Sequence, residues 1–200
     1  MYRLRVIILF FILLFFIKTD VYAHELSNAQ QDRANEIAKI VSDNWEEYGC
    51  LPSVCIAQAM IESTLGEHCI SYNYWGINQG RTRYETLEDG VFGYMKCINN
   101  GYYKNAPFCE NYSEQIRYIL NGGYCQPVGD YYENTIWIIE HYELYKYDEQ
   151  MFENIQKEKE EAIQKEREEN NKERLDKEIS NIFGHKKMMF NTVNNIEGVE

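Results

Sequence analysis

Between Ser27 and Leu144 several segments repeat their apolar residues every three or four positions, and no stretch of useful length alternates as a strand would. That period gives each of several helices one apolar stripe and leaves nothing to pair as a sheet, so the domain is expected to be mainly α. Ser27-Asn28-Ala29-Gln30 has the form of a capping box opening a first helix, with Ala34, Ile37, Val41, Trp45 and Tyr48 on one face. Pro52 suits the first turn of a second helix and Gly66 its C-terminal cap. A third helix is expected from Leu87 to Asn99, ended by Asn99-Asn100-Gly101. A fourth runs from Tyr112 to Leu120, before Asn121-Gly122-Gly123, and a fifth from Tyr131 to Leu144. Glu67 to Arg83 has no helical period and reads as loop.

The ends of the chain differ from this middle. Arg3 and Arg5 precede an unbroken apolar run from Val6 to Ile17, and Val21-Tyr22-Ala23 has the small-residue pattern of a signal-peptidase site. Residues 1–23 are therefore expected to be a signal peptide, with cleavage after Ala23. The run is short for a membrane span, which takes roughly 17–25 residues, although an uncleaved N-terminal anchor is the alternative. In both cases the rest of the chain is exported. Beyond Glu149 the composition becomes highly charged, with Glu153–Lys157, Glu161–Lys165, Glu168–Lys172 and Glu173–Lys177 in the favourable i,i+4 order. The middle of its apolar seam is polar, so residues 149–182 read as a solvated helical tail rather than a stable coiled coil. Residues 183–200 have no readable pattern. Residues 24–148 are left as one domain, long enough for a single core.

All six cysteines, Cys50, Cys55, Cys69, Cys97, Cys109 and Cys125, lie inside that domain. An even set in an exported chain is expected to form a disulfide framework, whose pairing the sequence does not fix. A metal site is the competing reading, but there is no Cys-x-x-Cys and no His pair at ligand spacing. Neither metal nor cofactor is expected. The net charge of −12 opposes binding to nucleic acid or anionic surfaces. The 17 tyrosines and 3 tryptophans are more than a core of this size needs, and flat rings stack well on sugars.

One residue stands out chemically. In Ala57-Gln58-Ala59-Met60-Ile61-Glu62-Ser63-Thr64-Leu65-Gly66, Glu62 is the single ionisable group of an otherwise apolar helical run. A carboxyl held against apolar neighbours, near the negative pole of a helix, favours its protonated form. Protonating a glycosidic oxygen needs such an acid. A solvated residue on the polar side of an amphipathic helix has the same local pattern, so the run by itself leaves both readings open.

Several segments together resemble the glucosaminidase family of bacterial peptidoglycan hydrolases, glycoside hydrolase family 73. They are Pro52 to Gly66, Asn73-Tyr74-Trp75-Gly76-Ile77, Tyr84-Glu85-Thr86-Leu87-Glu88-Asp89-Gly90-Val91 and the closing Tyr132 to Asp148. The resemblance spans residues 30 to 148, and its strongest element is Ala-Gln-Ala-x-x-Glu-Ser followed by Asn-x-aromatic-Gly-Ile. It implies a lysozyme-like, two-lobed domain in which Glu62 is the general acid acting on peptidoglycan glycan strands. It also implies substrate-binding roles for Asn73, Trp75, Tyr84, Tyr124 and Tyr132.

The chain departs from the family pattern at two places. Tyr124 sits where the family has a cleft tyrosine before Thr-Asp-Pro, but Cys125-Gln126-Pro127 follows, so that aspartate is missing or displaced to Asp130. The β-hairpin that carries the family's second carboxylate is cut to Asn78–Arg83, with no acid in it. Glu85, Glu88 and Asp89 are the nearest substitutes, each also readable as a surface residue at a helix start. Hydrolysis with two carboxylates therefore fits this chain less well than a route assisted by the substrate's acetamido group or an intramolecular transglycosylation. An endo-β-N-acetylglucosaminidase is the leading expectation, and a muramidase or lytic transglycosylase the nearest alternative. A wall-binding or assembly protein without turnover is the alternative of another class, and the tail is free to contact a further protein of a cell-envelope machine.

Overall fold

The computed structural model of the chain describes residues 25–125 and 129–196, the side chains of Asn181 and of residues 183–196 excepted. The segment expected to be a signal peptide lies outside the described residues. Helix α1 spans Asn28–Asp43, α2 Trp45–Tyr48, α3 Pro52–Ser63, α4 Leu87–Ile98, α5 Tyr112–Asn121, α6 Tyr131–His141 and α7 Tyr145–Ile196, with a 3-10 turn at Gly101–Tyr103. No strand occurs among the described residues, so the domain is mainly α, as expected. The shortened hairpin is corrected to no hairpin: Asn78, Gln79 and Gly80 all have positive φ, which coils the chain into turns instead of extending it.

The chain divides into two compact units, residues 1–149 and 150–200. In the first, α3 is the central element, packed by α1, α5 and α6. Its residues from Pro52 to Ala59 are all buried, which is why this run is apolar around the whole helix except at Ser53 and Gln58, both hydrogen-bonded. α1 begins with the capping box of Ser27 and Gln30, and its buried face is Ala34, Ile37, Ala38 and Val41. The helix stops at Asn44, so Trp45 and Tyr48 belong to the separate turn α2, closed by Gly49 at φ +61°. The cap of α3 also differs from expectation. Thr64 takes the left-handed position at φ +54°, while Gly66 serves a close approach, since a Cβ there would stand 2.2 Å from Cζ of Tyr74.

The N-terminal end of α3 is held by Asp148, a buried carboxylate that accepts hydrogen bonds from the backbone N–H of Ser53 at 2.8 Å and from its hydroxyl. Gln115 of α5 is likewise buried and ties three backbone groups together. Its Oε1 accepts from Leu51 N at 2.8 Å, and its Nε2 donates to the carbonyls of Gly49 and Ala106 at 2.9 Å each. These two polar residues satisfy backbone groups that burial would otherwise leave unpaired.

Between α3 and α4 the chain makes a loop stapled by Asn73. Its Nδ2 donates to the carbonyls of Ile77 (3.0 Å) and Thr82 (3.1 Å), and its Oδ1 accepts from Ile77 N at 2.8 Å. The loop carries a stack of rings, Tyr72 to Tyr74 to Trp75, that ends on Tyr94 of α4 at 5.1 Å. Gly90 lets α4 come this close, because a Cβ there would lie 2.2 Å from the Tyr72 carbonyl oxygen, which is backbone and cannot swing away. Gly90→Ala is expected to lower stability by about 1–3 kcal/mol, visible as a drop in melting temperature. An unchanged melt would mean that loop and helix separate at no cost.

The expected disulfide framework is not found, since all six cysteines are free thiols. A disulfide needs Cα atoms within about 7 Å and the sulfurs in bonding contact. Here Cys97 is close enough to Cys50, and Cys50 to Cys55, to add to what burial does to the thiol pKa, but no pair stands at disulfide distance. Several sulfurs donate to nearby carbonyls instead: Cys50 to Tyr48, Cys69 to Gly66 and Cys109 to Asn105. Burial pushes the Cys50 thiol up to about 12 and that of Cys55 well above its ordinary value.

The second unit is the greater part of α7. From Glu158 to Ser180 every side chain is exposed, and the ion pairs Lys157–Glu161 and Glu173–Lys177 stand at 3.9 Å. The helix continues without a break through residues 183–196, a stretch with no readable pattern in its sequence.

Candidate active site

Glu62 is the penultimate residue of α3 and the first exposed one after its buried run, so its side chain meets solvent while the helix behind it is anchored in the core. Tyr131, the first residue of α6, donates its phenolic hydrogen to Glu62 Oε1 at 2.9 Å. The same oxygen of Tyr131 accepts from Gln58 Nε2 at 3.4 Å, and the Oε1 of Gln58 accepts from the hydroxyl of Tyr94. Gln58 and Glu62 are four residues apart and so share one face of α3.

Tyr124 stands beside this group. Its hydroxyl donates to the carbonyl of Trp75 at 3.2 Å, and its ring meets Tyr131 edge-on at 6.2 Å and Tyr103 at 6.4 Å. Burial, followed by the neighbouring charges, pushes the phenols of Tyr124 and Tyr131 far above their ordinary range, with Glu62 adding to both. Both rings therefore stay protonated and act as donors. Gly76, at φ +63°, lies next to the site: Glu62 Oε2 is 3.9 Å from where its Cβ would be.

The other residues named from the sequence fall into two groups. Asn73 and Trp75 are buried beneath the site, Asn73 as the loop staple and Trp75 with its indole N–H on the Cys55 carbonyl at 2.9 Å. Tyr84 packs its hydroxyl end over Gly93 of α4. Tyr132 lies beside Arg117, whose guanidinium is 5.3 Å from its ring centre. One residue along a helix is about 100° of rotation, and that places Tyr131, which the sequence does not single out, on the Glu62 side instead. Gln58 is the other site residue that sequence reasoning misses, although its i,i+4 spacing from Glu62 is a signal that could have found it.

The three candidate second carboxylates stand at the start of α4 or just before it, and all are exposed. Asp89 closes a capping box, accepting from Thr86 N at 3.2 Å while the Thr86 hydroxyl accepts from Asp89 N at 3.1 Å. Glu88 lies in the field of Lys39, whose ammonium is raised first by Asp43 and only lastly by Glu88. Asp130 is the N-cap residue of α6, and Gln126 and Pro127 lie outside the described residues.

An exposed carboxylic acid rising from a buried helix, hydrogen-bonded by a tyrosine and walled by aromatic rings, is an arrangement suited to acid catalysis on a sugar. The glucosaminidase family, described as mannosyl-glycoprotein endo-beta-N-acetylglucosaminidase, matches residues 38–144, which is more than half of the chain and contains the whole of this site. The chain belongs to that family and is a glycosidase of the endo-β-N-acetylglucosaminidase type. No curated protein and no solved structure matched it.

Proposed function

We propose that this protein is an exported peptidoglycan hydrolase in which Glu62 is the general acid for cleavage of a β-1,4-linked N-acetylglucosamine. The family acts on peptidoglycan glycan strands. The observation that carries the residue assignment is the position of Glu62, fixed at the exposed end of a buried helix with Tyr131 donating to one oxygen. Export rests on the pattern of Arg3, Arg5, Val6 to Ile17 and Val21-Tyr22-Ala23.

Glu62 gives its proton to the glycosidic oxygen as the bond from that oxygen to C1 breaks. With Asp89 committed to its helix cap and no hairpin among the described residues to bring an acid across, the carbonyl oxygen of the substrate's own acetamido group is suited to bond to C1 in its place. Water then adds at C1, its proton returns to Glu62, and the acetamido group is released. This route needs one protein acid. The same lack of a hairpin favours one second reading, in which a hydroxyl of the sugar itself attacks C1 and a 1,6-anhydro end forms.

The products decide between them. Peptidoglycan is digested, reduced with borohydride and analysed by mass spectrometry. Reduced N-acetylglucosamine ends are the expected result. Reduced N-acetylmuramic acid would make the enzyme a muramidase, and ends that resist reduction would make it a transglycosylase.

A further inference from the structure

The hydrogen bonds around Glu62 have a fixed direction. Tyr94 is buried in the core, and its hydroxyl donates to Gln58 Oε1. That bond orients the Gln58 amide, so its Nε2 side faces Tyr131 and donates to the phenolic oxygen at 3.4 Å. With that oxygen already accepting, the Tyr131 hydrogen is directed to Glu62 Oε1 at 2.9 Å. The hydrogen bonds therefore run one way, from the core to the acid. They end on Oε1, and an oxygen that already accepts the Tyr131 hydrogen is a poor place for the acid's own proton. The remaining oxygen, Oε2, faces the bare backbone of Gly76.

We infer that Tyr131 is the positioning residue of the proton donor: held in direction by Gln58 and Tyr94, it occupies Oε1 of Glu62 and so assigns the transferable proton to Oε2, on the Gly76 side. This rests on Glu62 being the general acid. Tyr131 touches neither the scissile bond nor the leaving oxygen in this scheme, and it acts through Glu62 alone. Its phenol, pushed far above the ordinary range by burial, keeps the hydrogen in place throughout the working range of the enzyme.

The test is Tyr131→Phe in the full-length protein, with kcat and KM measured on soluble glycan fragments and the melting temperature recorded, beside Glu62→Gln. The variant keeps the ring and removes only the donor. A kcat lower by about 10–100-fold with KM within about twofold is expected, because misplacing a catalytic group by a fraction of an ångström acts on the chemical step. A merely structural role would lower the melting temperature and leave kcat of the folded protein at the wild-type value. An unchanged kcat in a folded Tyr131→Phe protein, with Glu62→Gln inactive, would overturn the role of Tyr131 and leave the acid assignment standing. Activity in Glu62→Gln would overturn both. Should Tyr131→Phe not fold, Tyr94→Phe removes the bond that orients Gln58: a fall in kcat with KM little changed supports the positioning role, and wild-type kcat overturns it.

Discussion

Glu62→Gln is expected to abolish glycan cleavage in a protein that folds normally. The amide is nearly isosteric and can still accept the Tyr131 hydrogen through its carbonyl oxygen, so the local hydrogen bond survives. What it lacks is a proton to give. General acid catalysis contributes typically ~10²–10⁴-fold, and no other carboxyl is hydrogen-bonded into this site among the described residues. Glu62 is exposed at the end of α3, so no buried contact is lost and the melting temperature should stay within about a degree of the wild type. Clearing of a peptidoglycan gel by wild type and not by the variant is the readout. Lysis by a folded Glu62→Gln protein would take Glu62 out of the mechanism.

The second large effect is on stability and comes from the other end of the same helix. Burial pushes the Asp148 carboxyl up to about 7, with the two Ser53 hydrogen bonds opposing and Glu149 adding a little. The pKa is raised in the folded state above its ordinary value of 3.8, so between these values the folded chain binds a proton that the unfolded chain does not. Stability from this group is therefore fully present below about pH 4 and is lost as pH rises through about 7. The loss is of the order of 4 kcal/mol at most, since each tenfold difference in proton affinity corresponds to about 1.4 kcal/mol. Urea unfolding at pH 5 and pH 8 should show the wild type less stable at the higher pH. Asp148→Asn, which keeps an acceptor for Ser53 without the charge, should remove most of that difference. An Asn variant with the same pH slope as the wild type would show that the ionisation of Asp148 does not control it.

The two ends of α3 thus divide stability from the proposed chemistry. Asp148 secures the N-terminal end inside the core, and the C-terminal end presents Glu62 to solvent. A rigid helix between them supplies the fixed position that an acid catalyst needs.

Much of this was determined by the sequence alone. Helical period placed the five main helices of the domain, because each must turn one apolar face inward and that constraint is written in residue spacing. The capping box at Ser27 and the proline opening α3 are local signals, and they appear where local chemistry puts them. The sequence singles out Glu62 as the candidate acid because a single acid in an apolar run is conspicuous and the matching segments tie it to a family; its catalytic role is the proposal made above. The tertiary structure decided the rest. Tyr131 rather than Tyr132 reaches Glu62 because the rotation of α6 is set by its packing on α3 and α5, which no short window contains. Asn73 and Trp75 lie under the site because a loop with three hydrogen bonds to one amide closes over its own polar residues. No two of the six cysteines stand at disulfide distance, a matter of tertiary geometry of which their even number says nothing.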